Sequence, residues 1–127
     1  MEKRLPFRVV VAGSRSISDT TMIFAKLDSI MRNKLQTHEV TIISGCAKGP
    51  DTIGEEWARK SHLKVDLIPA DWDRDGRSAG MIRNKIMCDT ADAVIAFHDG
   101  KSSGTKNMID IATRAKKMVR VVRCTAQ

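Results

Sequence analysis

Three apolar runs leave few options for the fold of this chain. Residues 8–12 read Arg-Val-Val-Val-Ala, 40–43 read Val-Thr-Ile-Ile, and 92–97 read Asp-Ala-Val-Ile-Ala-Phe. A strand with one wet face alternates apolar and polar residues. These scarcely do, so both faces of their sheet must be covered. The segments between them are long enough for helices. Met22, Ile23, Leu27, Ile30, Met31 and Leu35, with the stem of Lys26, recur at helical spacing over 20–35, and Asp19 or Ser18 would cap that helix. Pro50 suits the first turn of a second helix over 51–61, with Ile53, Trp57 and Ala58 facing inward. Residues 63–68 alternate as an edge strand does, 69–77 read as a polar loop, and 78–88 and 105–117 as helices. A last strand is expected over 119–122.

The order β-α-β-α-β-α-β-α-β predicts a three-layer, Rossmann-like α/β domain. Right-handed crossovers favour a doubly wound parallel sheet of five strands in the order 3-2-1-4-5. No repeat, linker or low-complexity stretch divides the 127 residues, which read as one domain. A chain of this length buries roughly two thirds of its unfolded surface and folds without disulfides or metal. With 4% aromatic residues and no Tyr, the core must rest on Val, Ile, Leu, Ala and Met.

The near-apolar run 91–97 is far too short to span a bilayer. The start, Met-Glu-Lys-Arg-Leu-Pro-Phe-Arg, has neither the apolar stretch nor the cleavage site of a signal peptide. A cytoplasmic protein is therefore expected, with no membrane partner. Cys46, Cys88 and Cys124 fit no zinc or disulfide spacing and read as reduced thiols. Lys and Arg (22) exceed Asp and Glu (15), a net charge of +7 that suits an anionic partner. The one basic cluster, Arg114, Lys116, Lys117, Arg120 and Arg123, reads as a solvated helix face leading into an edge strand. Nucleic-acid binding would need aromatic platforms among the cations, and few exist here.

In an open α/β sheet, ligands bind outside the carboxyl ends of the strands at the switch point, here between the first and fourth strands. Four segments fall there. Gly13-Ser14-Arg15-Ser16 follows the first strand; Gly13 could let a ligand approach the backbone while Ser14 and Arg15 reach an anion, or the segment could be a tight turn. Ser44-Gly45-Cys46-Ala47-Lys48-Gly49-Pro50-Asp51 precedes a helix and could cradle a phosphate, Asp51 capping the helix or taking a ribose hydroxyl. It is not a Walker loop. In the segment 71–80, Trp72 could stack on a base or cover an apolar edge; Arg77 and, one turn into the next helix, Arg83 with Asn84 are polar candidates. Asp71, Asp73 and Asp75 alternate like the start of an EF-hand, but no closing glutamate follows, so no metal is expected. The fourth segment, 98–107, brings Asp99 and Gly100 and then Ser103, Gly104 and Thr105 to a helix N-terminus, a second anion site. His98 reads as a base or as the end of the strand.

Together, in this order and spacing, these segments resemble the SLOG superfamily, the fold of the Lonely Guy phosphoribohydrolases and the DNA-processing protein DprA, in the YspA branch related to YpsA. The resemblance covers Val9 to about Val122 and rests on Gly13-Ser14-Arg15, residues 44–51, Pro69-Ala70-Asp71-Trp72, Gly76-Arg77-Ser78-Ala79-Gly80, Arg83-Asn84, Met87, Asp99-Gly100 and Ser103-Gly104-Thr105. It implies a nucleotide-binding domain, frequently dimeric, that serves either as an N-glycosidic-bond enzyme or as a ligand sensor; no cofactor is expected. The phosphoribohydrolases carry an arginine before the fourth strand and then Gly-Gly-x-Gly-Thr-x-x-Glu. Arg83 and Gly104-Thr105 match these motifs, but the glutamate's place falls at Asn107 or Met108, neither of which can act as acid, base or nucleophile.

Three functions follow. A nucleotide-binding sensor or sequestering module accounts for the anion-friendly loops and the missing glutamate. An N-glycoside hydrolase or deoxyribosyl transferase would need Glu55, Asp51 or Asp99 as its carboxylate, with Arg83 beside it. Glu55 and Glu56 read equally as solvated helix residues. A nucleic-acid-binding role is the least favoured.

Overall fold

The computed structural model describes residues 4–125, so Met1–Lys3, part of the amino-terminal segment read above, lie outside it. Its elements are β1 (Leu5–Gly13), α1 (Thr20–Thr37), β2 (His38–Ser44), α2 (Pro50–Lys60), β3 (Lys64–Leu67), α3 (Trp72–Asp75), a 3-10 turn (Gly76–Ser78), α4 (Ala79–Thr90), β4 (Ala93–His98), α5 (Ser103–Arg114) and β5 (Met118–Arg123). The five strands form one parallel sheet in the order β3-β2-β1-β4-β5, as expected. The order in which the chain adds strands switches from one side to the other between β1 and β4, where Val9 to Gly13 pair with Ala93 to Phe97.

The apolar runs divide their side chains between two cores, because successive residues of a strand point to opposite faces. Val9, Val11, Ile42, Ile95 and Phe97 meet Ile23, Leu27 and Met31 of α1 and Trp57 and Ala58 of α2. Val10, Ala12, Ile43, Val94 and Ala96 meet Met87 and Cys88 of α4 and Met108 and Ala112 of α5. Every residue of β4 is buried, which explains its lack of alternation. Asp19 caps α1, its carboxylate accepting from the Met22 amide at 3.0 Å.

Two elements depart most from the sequence reading. The stretch expected as a loop holds α3 and the 3-10 turn; the Asp71 carboxylate accepts from the Arg74 amide at 3.1 Å and nucleates a turn too short for apolar periodicity to reveal. The last helix runs from Ser103 to Arg114 rather than from 105 to 117. Lys116 has a left-handed φ of 60°, which ends it early.

Candidate functional site

At the switch point the loops after β1 and β4 part around a cleft of about 520 Å³. All four segments read from the sequence contribute to it. Gly13, Arg15 and Ser16 come from the first, Ala47 and Asp51 from the second, and Trp72, Arg77, Gly80, Met81, Arg83 and Asn84 from the third. Asp99, Ser102, Ser103, Gly104 and Thr105 come from the fourth, and Ala12, Met87 and Met108 complete the lining. Ser14, Ser44, Gly45, Lys48, Gly49, Gly100 and Glu55 were also expected to serve the site, and none of them lines the cleft.

The reasons are local. Gly13 is needed for packing: a Cβ there would stand 2.6 Å from both the Phe97 carbonyl oxygen and Pro50 Cγ. Ser14 is buried and joins two loops, its hydroxyl accepting from the Asp99 amide at 3.1 Å and lying 3.3 Å from Thr105 Oγ1. In the second segment Asp51 Oδ2 accepts from the Ala47 amide of the loop at 3.3 Å, and α2 begins after Gly49 without a side-chain cap. Lys48 is exposed away from the cleft, and Gly49 turns the chain into α2 at a φ of 97°. Gly100 turns the fourth loop at a φ of 85°. Glu55 is neither solvated nor at the cleft: it accepts from the Ser44 hydroxyl at 2.6 Å behind the second loop.

Asp99 lines the cleft but braces its own loop. Oδ1 accepts from the Lys101 and Ser102 amides, both at 2.8 Å, and Oδ2 from the Ser16 hydroxyl at 3.0 Å. The Lys101 and Ser102 amides hold its carboxyl well below the usual carboxylate range. That is the environment of a fixed anion, not of an acid. His98 ends β4, buried, with no hydrogen-bond partner for Nδ1 among the described residues.

Asp51 differs. Its residue is 4% exposed, and burial pushes its carboxyl up to about 6 against the opposing pull of the Ala47 amide and the Arg83 charge. Arg83 lies beside it: a Cβ on Gly45 would meet Arg83 Nη1 at 2.7 Å and Asp51 Oδ2 at 2.9 Å. Arg83 donates through Nη1 to the Gly45 carbonyl and through Nε to Asn84 Oδ1 at 3.2 Å. Asn84 Nδ2 then donates to the Gly104 carbonyl at 3.2 Å and to Asn107 Oδ1 at 3.0 Å. One hydrogen-bonded chain thus ties the second loop, α4 and the start of α5.

That start is open. Ser102 caps α5, taking the Thr105 amide at 3.5 Å, and Ser103 and Gly104, first-turn residues whose amides have no acceptor within the helix, line the cleft. Ser102, Asn107, Met81 and Met87 were not singled out as ligand residues. A serine immediately before a helix is a readable cap, so Ser102 could have been found. Of the two places for the hydrolase glutamate, Asn107 is half-buried against Asn84 and Met108 lies in the cleft floor. Asp110 points elsewhere, paired with Lys106 at 2.7 Å. Among the described residues no three His, Cys, Asp or Glu side chains are placed to hold a metal.

Residues 7–74 match the family described as YAcAr: YspA, cpYpsA-related SLOG family. The chain belongs to this family. The Gene 61 protein of Mycobacterium phage D29 is 34% identical over 115 residues, which span 85% of this chain and 90% of the phage protein. DNA processing protein A (DprA) from Streptococcus pneumoniae superposes with a TM-score of 0.73 at 20% identity, over 95% of this chain and 51% of DprA. The chain therefore spans about half of DprA, and the likeness is one of fold. The YAcAr match covers the first two segments of the cleft and α3, while Arg83, Asn84 and residues 99–105 lie beyond it.

Proposed function

We propose that this SLOG chain acts as one domain that binds a nucleotide or nucleotide derivative in the cleft and returns it unchanged, as a sensor or sequestering module. The observation that carries this reading is the pairing of an anion site with an absent acid. The Ser103 and Gly104 amides open α5 towards a cleft that Arg15, Arg77 and Arg83 also line, and amides at a helix N-terminus favour a phosphate. The positions of the hydrolase glutamate hold an amide and a thioether instead. Trp72 and Met81, both more than half exposed at the rim, offer an apolar face to a base. The volume is ordinary for a ligand of nucleotide size. Incubation with nucleoside monophosphates, NAD, ADP-ribose and cyclic nucleotides, followed by ultrafiltration and mass spectrometry of both fractions, tests it. One compound retained intact is the expected result; no retention at micromolar concentration refutes the proposal.

Asp51 favours a second reading. A buried carboxyl raised to about 6 at a cleft wall is the usual setting of a general acid. It could protonate the departing base of a nucleoside monophosphate while water adds at the anomeric carbon. Free base and sugar phosphate in the filtrate, lost on Asp51→Asn, would establish N-glycosidase activity and displace the first reading.

The dimer implied by the resemblance has a surface to form on. Ile82 and Ile86, one turn apart on α4, are exposed, and exposed apolar surface of this kind suits an interaction site. Free Cys46, Cys88 and Cys124 suit a reducing cytoplasm. No helix of the described residues is long and apolar enough to cross a membrane.

A further inference from the structure

A second groove of about 520 Å³ runs between α1 and β5, away from the nucleotide cleft. β5 is an outer strand with β4 on one side only, so one row of its backbone amides and carbonyls has no strand to pair with. The sheet is thinly covered here: Met118 is 59% and Val121 37% exposed. Met22 and Ile30 of α1 face Val122 across the groove, Val121 lines it from the strand's other face, and the cations Lys26, Arg120 and Arg123 stand along it. Its one carboxylate, Asp19, is engaged in capping α1. Among the described residues none of these three cations has a salt-bridge partner.

We propose that β5 receives an extended acidic polypeptide segment as a sixth strand, seated in this groove. The unpaired backbone row supplies the hydrogen bonds of strand addition. The incoming residues that face α1 meet Met22, Ile30 and Val122 together with Lys26 and Arg120, which take the acidic side chains. A second copy of this chain is disfavoured, since it would set one cationic strand against another. A nucleic acid would find cations but no stacking surface, because none of the groove residues is aromatic.

A fluorescein-labelled octapeptide of alternating Asp and Val, titrated by anisotropy into the full chain at low salt, tests the proposal. Saturable binding is expected, weakened roughly tenfold or more by Lys26→Glu with Arg120→Glu. Methylating one alternate set of peptide nitrogens should abolish binding and methylating the other should not. Deuterium exchange should slow at Met118–Arg123. Lys26→Gln with Arg120→Gln gives the same reading should the charge reversal perturb the melt. Equal binding of a Lys-Val peptide, indifference to both methylation patterns, or binding of a single-stranded oligonucleotide in place of the peptide would overturn it. None of these readouts depends on the nucleotide cleft.

Discussion

Asp51 concentrates the chemistry of the cleft at one atom pair. A carboxyl ordinarily titrating at 3.8 is raised to about 6 in the folded chain, chiefly by burial. The folded state therefore holds its proton more tightly than the unfolded one. Below pH 3.8 burial carries no cost, between 3.8 and about 6 the cost grows, and above that it is complete. Asp51→Asn removes a charge of similar shape and leaves an acceptor for the Ala47 amide. We expect it to stabilise the protein by up to about 3 kcal/mol near neutral pH and by almost nothing near pH 3.5, measured as urea midpoints at the two pH values. An equal effect at both would show that charge burial is not the cause. Asn84 has the opposite sense. Asn84→Leu breaks the link between Arg83 and the start of α5, and should weaken nucleotide binding roughly tenfold or more by calorimetry, the Gly104 carbonyl and Asn107 losing their donor. Such roles were only half legible beforehand. The spacing of Arg83-Asn84 marked both residues as candidates, but a hydrogen-bonded chain through Gly45 and Gly104 joins residues too far apart in sequence to be paired by inspection. Glu55 shows the same limit, since a carboxylate on α2 reads as solvated until β2 places Ser44 beneath it.

Among the elements, α5 carries the binding claim. Its cap, Ser102, takes the Thr105 amide, and the two residues that follow line the cleft. Ser102→Ala should cost about 1 kcal/mol of stability and should also lower affinity for a phosphate-bearing ligand; a thermal melt with and without ligand separates the two effects. The strands were the most readable elements, because continuous β-branched runs have one structural use in a chain this short. Helix ends were less so. α3 depends on a single Asp71 side chain, and the end of α5 on the left-handed turn at Lys116; neither leaves a periodic trace. The second segment shows how placement can be legible while contacts are not. Its glycines do precede a helix, but the hydrogen bond from the Ala47 amide to Asp51 within the loop leaves no trace in the sequence.

At the scale of the whole molecule, the order 3-2-1-4-5 fixes where a ligand can sit before any side chain is considered. It brings segments from four parts of the chain to one cleft. That order was legible because handedness leaves few ways to connect alternating strands and helices. The exposed pair Ile82 and Ile86 was not, since α4 carries apolar residues on both its buried and outer sides. If that pair joins two copies, Ile82→Lys with Ile86→Lys should yield monomers by sedimentation where the parent sediments as a dimer. A monomeric parent would remove the role assigned to α4. The most direct test of the binding claim is a titration of the ¹⁵N-labelled chain with a nucleoside monophosphate, reading backbone amide shifts. The largest downfield shifts should fall on Ser103 and Gly104, with the Arg83 Nε signal moving alongside. Shifts confined to residues 45–49, or none anywhere around the cleft, would contradict a phosphate site at the start of α5.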